Sequence, residues 1–262
     1  MKNVKIGKHD VELYDAIEEL PIVRFHKYQK YLLVDAGVGS TMEEFDKHIE
    51  KARRYCMLND TANAQKELEN LRQCVFMIQN TLSPRHLAFA CLVSKIDGKE
   101  CNDIGDDALH RIVTLLADAP NDELTGQLGT VKKKIDAELS LYFPTLNVAD
   151  SDTKEFYERL RLRTLTILRN IVSGVEIPDG TKEVDRMTTE LITYTHPQTF
   201  AGAESIEIKF DRQFENLCLM LSGQLNVKPK EYTVMEFYNA FEYLKEKAKN
   251  EEKAVKQGIK RR

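Results

Sequence analysis

The clearest amphipathic pattern in the sequence is TANAQKELENLRQCVFMIQNTL, which runs from Thr61 to Leu82. Its apolar residues recur every three or four positions, the spacing that places side chains on one face of an α-helix. Asp60 precedes the stretch and can cap the helix. We therefore expect a long amphipathic helix, whose buried face consists of Ala64, Leu68, Leu71, Val75, Ile78 and Leu82.

A second apolar segment follows after a short connection. It begins with Ser83 and a proline, a pair typical of a helix start, and it stays apolar towards Ile96. Short connections favour antiparallel neighbours. We expect residues 60–82 and 83–96 to form the central antiparallel pair of the fold. The side chains expected among the most buried are Leu68, Leu71, Val75 and Leu87.

Two capping boxes mark the starts of further helices. Thr41 is followed three positions later by Glu44, and Thr233 is followed in the same way by Glu236. In this motif the threonine side chain and the glutamate side chain each satisfy a free backbone N–H of the first helical turn. With few glycines and prolines elsewhere, the sequence predicts a mainly α fold, a multi-helix bundle.

The domain organisation follows from length and local composition. With 262 residues, 42% of them apolar, the chain could form one large domain or two small ones. Residues 1–143 are expected to form an N-terminal helical unit, in which weak alternation around Gly7 can form a small β-hairpin. Residues 153–248 are expected to form a C-terminal helical unit, and residues 249–262 a charged tail.

The composition argues against several classes of protein. A net charge of −4 provides no global basic field for nucleic acid, and the best remaining candidates for such a contact are Lys260, Arg261 and Arg262. No apolar run approaches the roughly 18 residues needed to span a membrane. The first residues contain no apolar signal core. We therefore expect no membrane partner, and a chain that is made in a cytosol.

No catalytic motif occurs in the sequence. Phosphate-binding glycine loops, G-x-S-x-G and H-E-x-x-H are all missing. The six histidines are scattered, so a metal site would have to assemble from distant segments. We predict no catalytic residues, no cofactor and no metal ligands, and therefore no enzyme. A hydrolase or nuclease with a dispersed site is a remote alternative.

Two aromatic segments are candidate partner-binding surfaces. Residues 24–31, RFHKYQKY, repeat an aromatic residue every three positions with basic residues between. The aromatic side chains can pack inward from a helix, or they can form an interface, because Tyr and Arg are typical interface anchors. The sequence leaves both explanations open. The helix from Thr233 is also rich in aromatic residues. The predicted interface residues are Arg24, Phe25, Tyr28, Tyr31, Phe237, Tyr238, Phe241 and Tyr243.

Four segments within residues 3–110 have a distinctive sequence. They are LYDAIEELPIVRFHKY (13–28), LVDAGVGS (33–40), ELENLRQ (67–73) and HLAFACLVSKIDGK (86–99). These phrases look like virion-associated structural proteins of tailed phages that infect gut Bacteroidales, the crAss-like group. The resemblance implies no enzymatic activity and no cofactor, and it assigns no functional residues.

The resemblance implies a non-enzymatic structural component of a tailed-phage virion, at the neck, the tail or another part of the particle. Such a protein acts through contacts with other virion proteins in a multi-copy assembly. It is located in the virion and is assembled in the host cytoplasm. The alternative is a soluble tail-assembly chaperone that is absent from the mature particle.

Overall fold

The computed structural model describes residues 1–144, 151–173 and 178–259. The protein is 71% helical, and the described residues form ten α-helices and one small four-stranded antiparallel sheet. The predicted fold class, a mainly α bundle with an N-terminal hairpin, is therefore confirmed. The predicted nucleic-acid contact by Lys260, Arg261 and Arg262 lies outside the described residues.

The sheet combines the N-terminal hairpin with a second hairpin from the middle of the chain. Val11 is the central contact, opposite Val4 on one side and Ile96 on the other. The inward side chains of these strands are buried against the helices. The strands lie side by side in the order β1 (Lys2–Ile6), β2 (His9–Leu13), β3 (Val93–Ile96) and β4 (Lys99–Glu100).

Helices make up the rest of the fold. The predicted capping boxes are present at Thr41 and at Thr233, and Ser205 caps a third helix. The helices are α1 (Ile22–Gly37), α2 (Met42–Met57), α3 (Thr61–Gln79), α4 (Pro84–Leu92), α5 (Asp106–Leu115), α6 (Asn121–Tyr142), α7 (Ser151–Ser173), α8 (Pro178–Tyr194), α9 (Ile206–Leu225) and α10 (Val234–Ile259).

Helix α4 is the centre of the core. Its residues from Leu87 to Leu92 are all buried, and α1, α5 and α6 pack against it. Leu221 of α9 and Phe237 of α10 belong to the same apolar cluster as α4. The division into units ending at 143 and starting at 153 stays a prediction, although helices from both sides of it contribute to one core.

The predicted central pair is wrong, because α3 packs on α2 and α4 packs on α1. Leu68 is 53% exposed, whereas Leu87 is buried as predicted. Two polar residues, Glu67 and Asn70, lie on the buried side of α3 together with Ala64 and Cys74. The spacing of apolar residues does not identify the buried side of α3, because two of its four buried residues are polar. Both polar residues form hydrogen bonds with other segments of the chain.

The segment from residue 83 to 96, predicted as one helix, changes structure at Val93. Helix α4 ends at Leu92, and the next four residues form β3. Asp97 and Gly98 connect β3 to β4 with φ angles of 49° and 77°. Two successive positive φ angles are the conformation of a type I′ hairpin turn, for which Asp-Gly is a preferred sequence. This dipeptide is the signal that reveals the strands.

Helices α8 and α7 form an outer layer over α2. Arg54 of α2 donates a hydrogen bond to the Thr189 hydroxyl of α8 at 2.8 Å, and the Tyr55 hydroxyl donates to the α8 backbone. Helix α7 packs on α8, where Arg163 Nε donates to the Thr188 hydroxyl at 2.7 Å. This arrangement leaves α7 as the outermost helix of the layer.

Candidate functional site

Arg24, the first predicted interface residue, is buried inside the chain. Its guanidinium donates hydrogen bonds to the carbonyl oxygens of Cys91 (3.2 Å), Val93 (3.0 Å) and Cys101. It also lies over the ring of Tyr14, 5.5 Å from the centroid. The last carbonyls of a helix lack partners within that helix, so Arg24 satisfies the end of α4 where the chain enters β3. Burial lowers the pKa of this guanidinium.

The aromatic residues of the two predicted surfaces contact each other. The ring of Phe25 lies 6.0 Å from that of Tyr28 and 6.5 Å from that of Tyr238. The rings of Phe237 and Tyr238 meet edge to face at 5.7 Å. Because Arg24, Phe25, Tyr28 and Phe237 are buried within this chain, the expectation that they contact other subunits needs correction, and inward packing explains the pattern.

The remaining predicted residues lie nearer the surface. Tyr31 is partly exposed, and its hydroxyl donates to Asp106 at 3.2 Å. Tyr238 and Phe241 are partly exposed, and Tyr243 is exposed. The α10 surface therefore stays a predicted interface through Phe241 and Tyr243, without the buried Phe237.

The outward side of α1 binds α9 through a histidine. The ring of His26 stacks on Phe210 and Phe214, at centroid distances of 4.6 and 4.1 Å. Its Nε2 lies 2.8 Å from Asp211 Oδ1, and Lys30 Nζ lies 2.8 Å from Asp211 Oδ2. Burial lowers the pKa of His26 although Asp211 opposes this effect. His26 and Lys30 of α1 thus share the carboxylate of Asp211 as a partner within the chain.

A buried polar pair connects α2 and α3. His48 Nδ1 lies 2.7 Å from Glu67 Oε2, and His48 Nε2 lies 2.9 Å from the carbonyl oxygen of Val38. A carbonyl oxygen only accepts, so Nε2 carries a proton and donates it. Lys51 Nζ, at 4.0 Å from Glu67 Oε1, adds a positive charge at the rim.

A cavity of about 490 Å³ borders this pair. Asn70 lines it and donates a hydrogen bond to the carbonyl of Gln198 at 3.0 Å. Gly37 makes room for the Phe200 ring, because a Cβ at residue 37 would lie 1.9 Å from a ring carbon. Sequence reasoning missed this polar region. The sequence signal that could have identified it is the presence of Glu67 and Asn70 on the side of α3 that also carries Ala64 and Cys74.

Among the described residues, α7 carries a group of exposed large apolar side chains on one side of the helix. Six of these apolar side chains, named at the end of this paragraph, fall within roughly 140° of the helix circumference at about 100° per residue. The opposite side of α7 carries Arg159 and Arg163, which contact Glu190 and Thr188 of α8. The exposed side is named the α7 face, and its apolar residues are Tyr157, Leu160, Leu165, Leu168, Ile171 and Val172. The exposed Arg161 and Thr164 lie among them.

Comparisons with known proteins find no match to a family model, to a curated protein or to a solved structure. In residues 1–144, 151–173 and 178–259, no three His, Cys, Asp or Glu side chains form a group that could hold a metal ion. None of the helices described there has the length and apolar character to cross a membrane.

Proposed function

We propose that this protein is a non-enzymatic structural component of a tailed-phage virion and acts through contacts with other virion proteins. The observation that carries the proposal is the α7 face. Single exposed apolar residues are ordinary on a protein surface, but a contiguous group of them indicates a surface that a partner covers. The resemblance of residues 3–110 to virion proteins of crAss-like phages indicates the particle in which such a partner would be found.

The position of α7 supports this proposal. The helix is the outermost of the layer formed with α8, and α8 is anchored on α2 by Arg54 and Tyr55. An apolar side at this place adds nothing to the core of the chain. A partner that covers it would remove its apolar area from water, with a gain of about 25 cal/mol per Å².

Quantitative mass spectrometry of purified virions tests the proposal. We expect the protein in the mature particle in a fixed ratio to the other virion proteins. Its absence from particles that it is needed to build would contradict the structural function and support the assembly chaperone. In phage that carry Leu168→Glu on the α7 face, we expect fewer complete particles. Leu162→Glu is the matched control, because Leu162 is exposed on α7 but lies outside the face.

A further inference from the structure

We propose that the α7 face binds a second copy of this chain, with the two α7 helices antiparallel about a twofold axis at Thr164. The inference rests on the proposed function only in using the same face, and it names the partner. A twofold interface requires a surface that is complementary to itself, so that residue i contacts j and j contacts i. Three features make the α7 face complementary to itself: the positions of its apolar residues, the small residue at its centre and the opposite charges at its edge.

Four of the six apolar residues of the face are arranged symmetrically around Thr164. Tyr157 and Ile171 lie seven positions before and after it, and Leu160 and Leu168 lie four positions before and after it. In an antiparallel pair centred on Thr164, Tyr157 therefore lies against the partner's Ile171, and Leu160 lies against the partner's Leu168. Each copy provides the same contacts, so four apolar pairs form along the two helices.

The centre of the face suits a close crossing of two helices. Thr164 is a small residue, and small residues at the crossing point allow two helix backbones to approach. Its hydroxyl already donates to the carbonyl of Leu160 at 2.9 Å. Burial of Thr164 in the pair would therefore leave no unsatisfied donor.

The charges at the edge of the face select the antiparallel orientation. Glu158 and Arg169 lie along the same edge of α7, and neither forms an ion pair with a described residue. The antiparallel pair places Glu158 beside the partner's Arg169 twice, whereas a parallel twofold pair would turn this edge of the two helices to opposite sides of the interface and form neither contact. Arg161 lies within the face, between Leu168 and Val172 around the helix, and it can lay its aliphatic stem over the partner's apolar residues and keep its charge in water.

The size of the face sets the expected strength. A helix of 23 residues is about 35 Å long, and a contact one helix wide covers less than the roughly 800 Å² per partner of a standard interface. We therefore expect a dimer that dissociates on dilution in the micromolar range.

Sedimentation equilibrium of the full-length chain, over a range of concentrations around this value, tests the inference. We expect a monomer–dimer equilibrium. Leu168→Glu should weaken it by more than about tenfold, because the symmetry introduces the buried charge twice. Leu162→Glu changes the same residue type on the same helix outside the face and should leave the equilibrium unchanged. A chain that stays monomeric, or equal effects of the two variants, would overturn the inference.

Charge reversal and crosslinking test the orientation. Glu158→Lys and Arg169→Glu should each weaken the dimer, and the two changes combined should restore it. Chains with Tyr157→Cys and chains with Ile171→Cys should form mixed disulfide dimers faster than Tyr157→Cys chains crosslink among themselves. Preferential crosslinking of Tyr157→Cys to itself would show a parallel pair and contradict the antiparallel arrangement.

The outcomes separate this inference from the proposed function. A monomer in solution that is present in virions, with its α7 face crosslinked to a different virion protein, would overturn self-pairing and retain the structural function. A dimer through α7 that is absent from virions would retain self-pairing and overturn the structural function.

Discussion

His48 of α2 and Glu67 of α3 form a hydrogen bond of 2.7 Å in the interior of the chain, and His48 also donates to the carbonyl of Val38 at the end of α1. These two side chains thus connect three helices. A buried ionisable residue is tolerated only when a partner satisfies it. The pair therefore decides which side of α3 faces inward, a choice that the apolar residues of α3 alone would make differently.

Glu67→Ala should destabilise the protein by about 3–5 kcal/mol, because it leaves His48 buried without its partner. Urea denaturation followed by circular dichroism measures the free energy of unfolding. Glu69→Ala is the matched control on the same helix, since no described residue pairs with Glu69, and it should change the free energy by less than about 0.5 kcal/mol. Similar losses for both variants would contradict a special role of Glu67.

Arg24→Lys should lower the free energy of unfolding by on the order of 2 kcal/mol. Lysine keeps the charge but cannot place several donors in the planar arrangement that reaches the carbonyls of Cys91, Val93 and Cys101. Thermal denaturation of the isolated chain is the measurement. Arg111→Lys, at an exposed arginine of α5, should have little effect. An Arg24→Lys chain with unchanged stability would contradict the conclusion that the contacts of Arg24 inside the chain stabilise the fold.

Leu87→Ala should cost about 2–5 kcal/mol, whereas Leu68→Ala should cost less than about 0.5 kcal/mol. Both residues come from the pair of segments predicted to be central, but Leu87 is buried in α4 and Leu68 is 53% exposed on α3. Chemical denaturation of the two variants gives the difference directly. A large loss at Leu68 in the isolated chain would contradict the observed packing of α3 on α2.

The helices could be predicted from the sequence because their signals are local. The capping boxes at Thr41 and Thr233 involve residues three positions apart, and both are present in the structure. The choice of packing partners could not be predicted in this way. His48 and Glu67 are 19 positions apart, and nothing in either helix alone shows that two polar residues will be buried together.

Phe25 and Tyr28 were predicted as interface residues but are buried within the chain, for a related reason. An aromatic residue every third position on a helix fits an interface and a core equally well. Tyr238 of α10, whose ring contacts that of Phe25, lies far along the chain. The α7 face was not identified from the sequence, because the side of α7 that stays uncovered depends on where α8 packs.

One thiol of the native protein should react rapidly with Ellman's reagent. Cys56 is exposed, Cys101 is partly exposed, and Cys74, Cys91 and Cys218 are buried. Burial raises the pKa of Cys91 to about 12, so this thiol is almost entirely protonated at neutral pH and reacts slowly. Cys56→Ser should remove the fast phase, and urea should expose all of the thiols. Several fast-reacting thiols in the native chain would contradict the described burial.

Acidification from about pH 6.5 should destabilise the protein through His26 and His86. Burial lowers the pKa of both imidazoles below the ordinary value of 6.5. As the pH falls, the unfolded chain therefore takes up protons before the folded chain does, and the free energy of unfolding decreases between the two pKa values. Asp211, which contacts His26, has a lowered pKa despite its burial, because Lys30 and His26 pair with it; its contribution is lost only below about pH 3.8.

Urea denaturation at a series of pH values between about 7.5 and 5 measures this dependence. His26→Gln removes the titrating group and keeps a side chain that can donate to Asp211, so the decrease in stability with acidification should be smaller than in the unchanged protein. His110→Gln provides the control, since no side-chain partner of His110 is found among the described residues, and it should leave the dependence on pH as it is. An unchanged slope in His26→Gln would mean that the contact of His26 with Phe210, Phe214 and Asp211 does not control the response of the fold to acid.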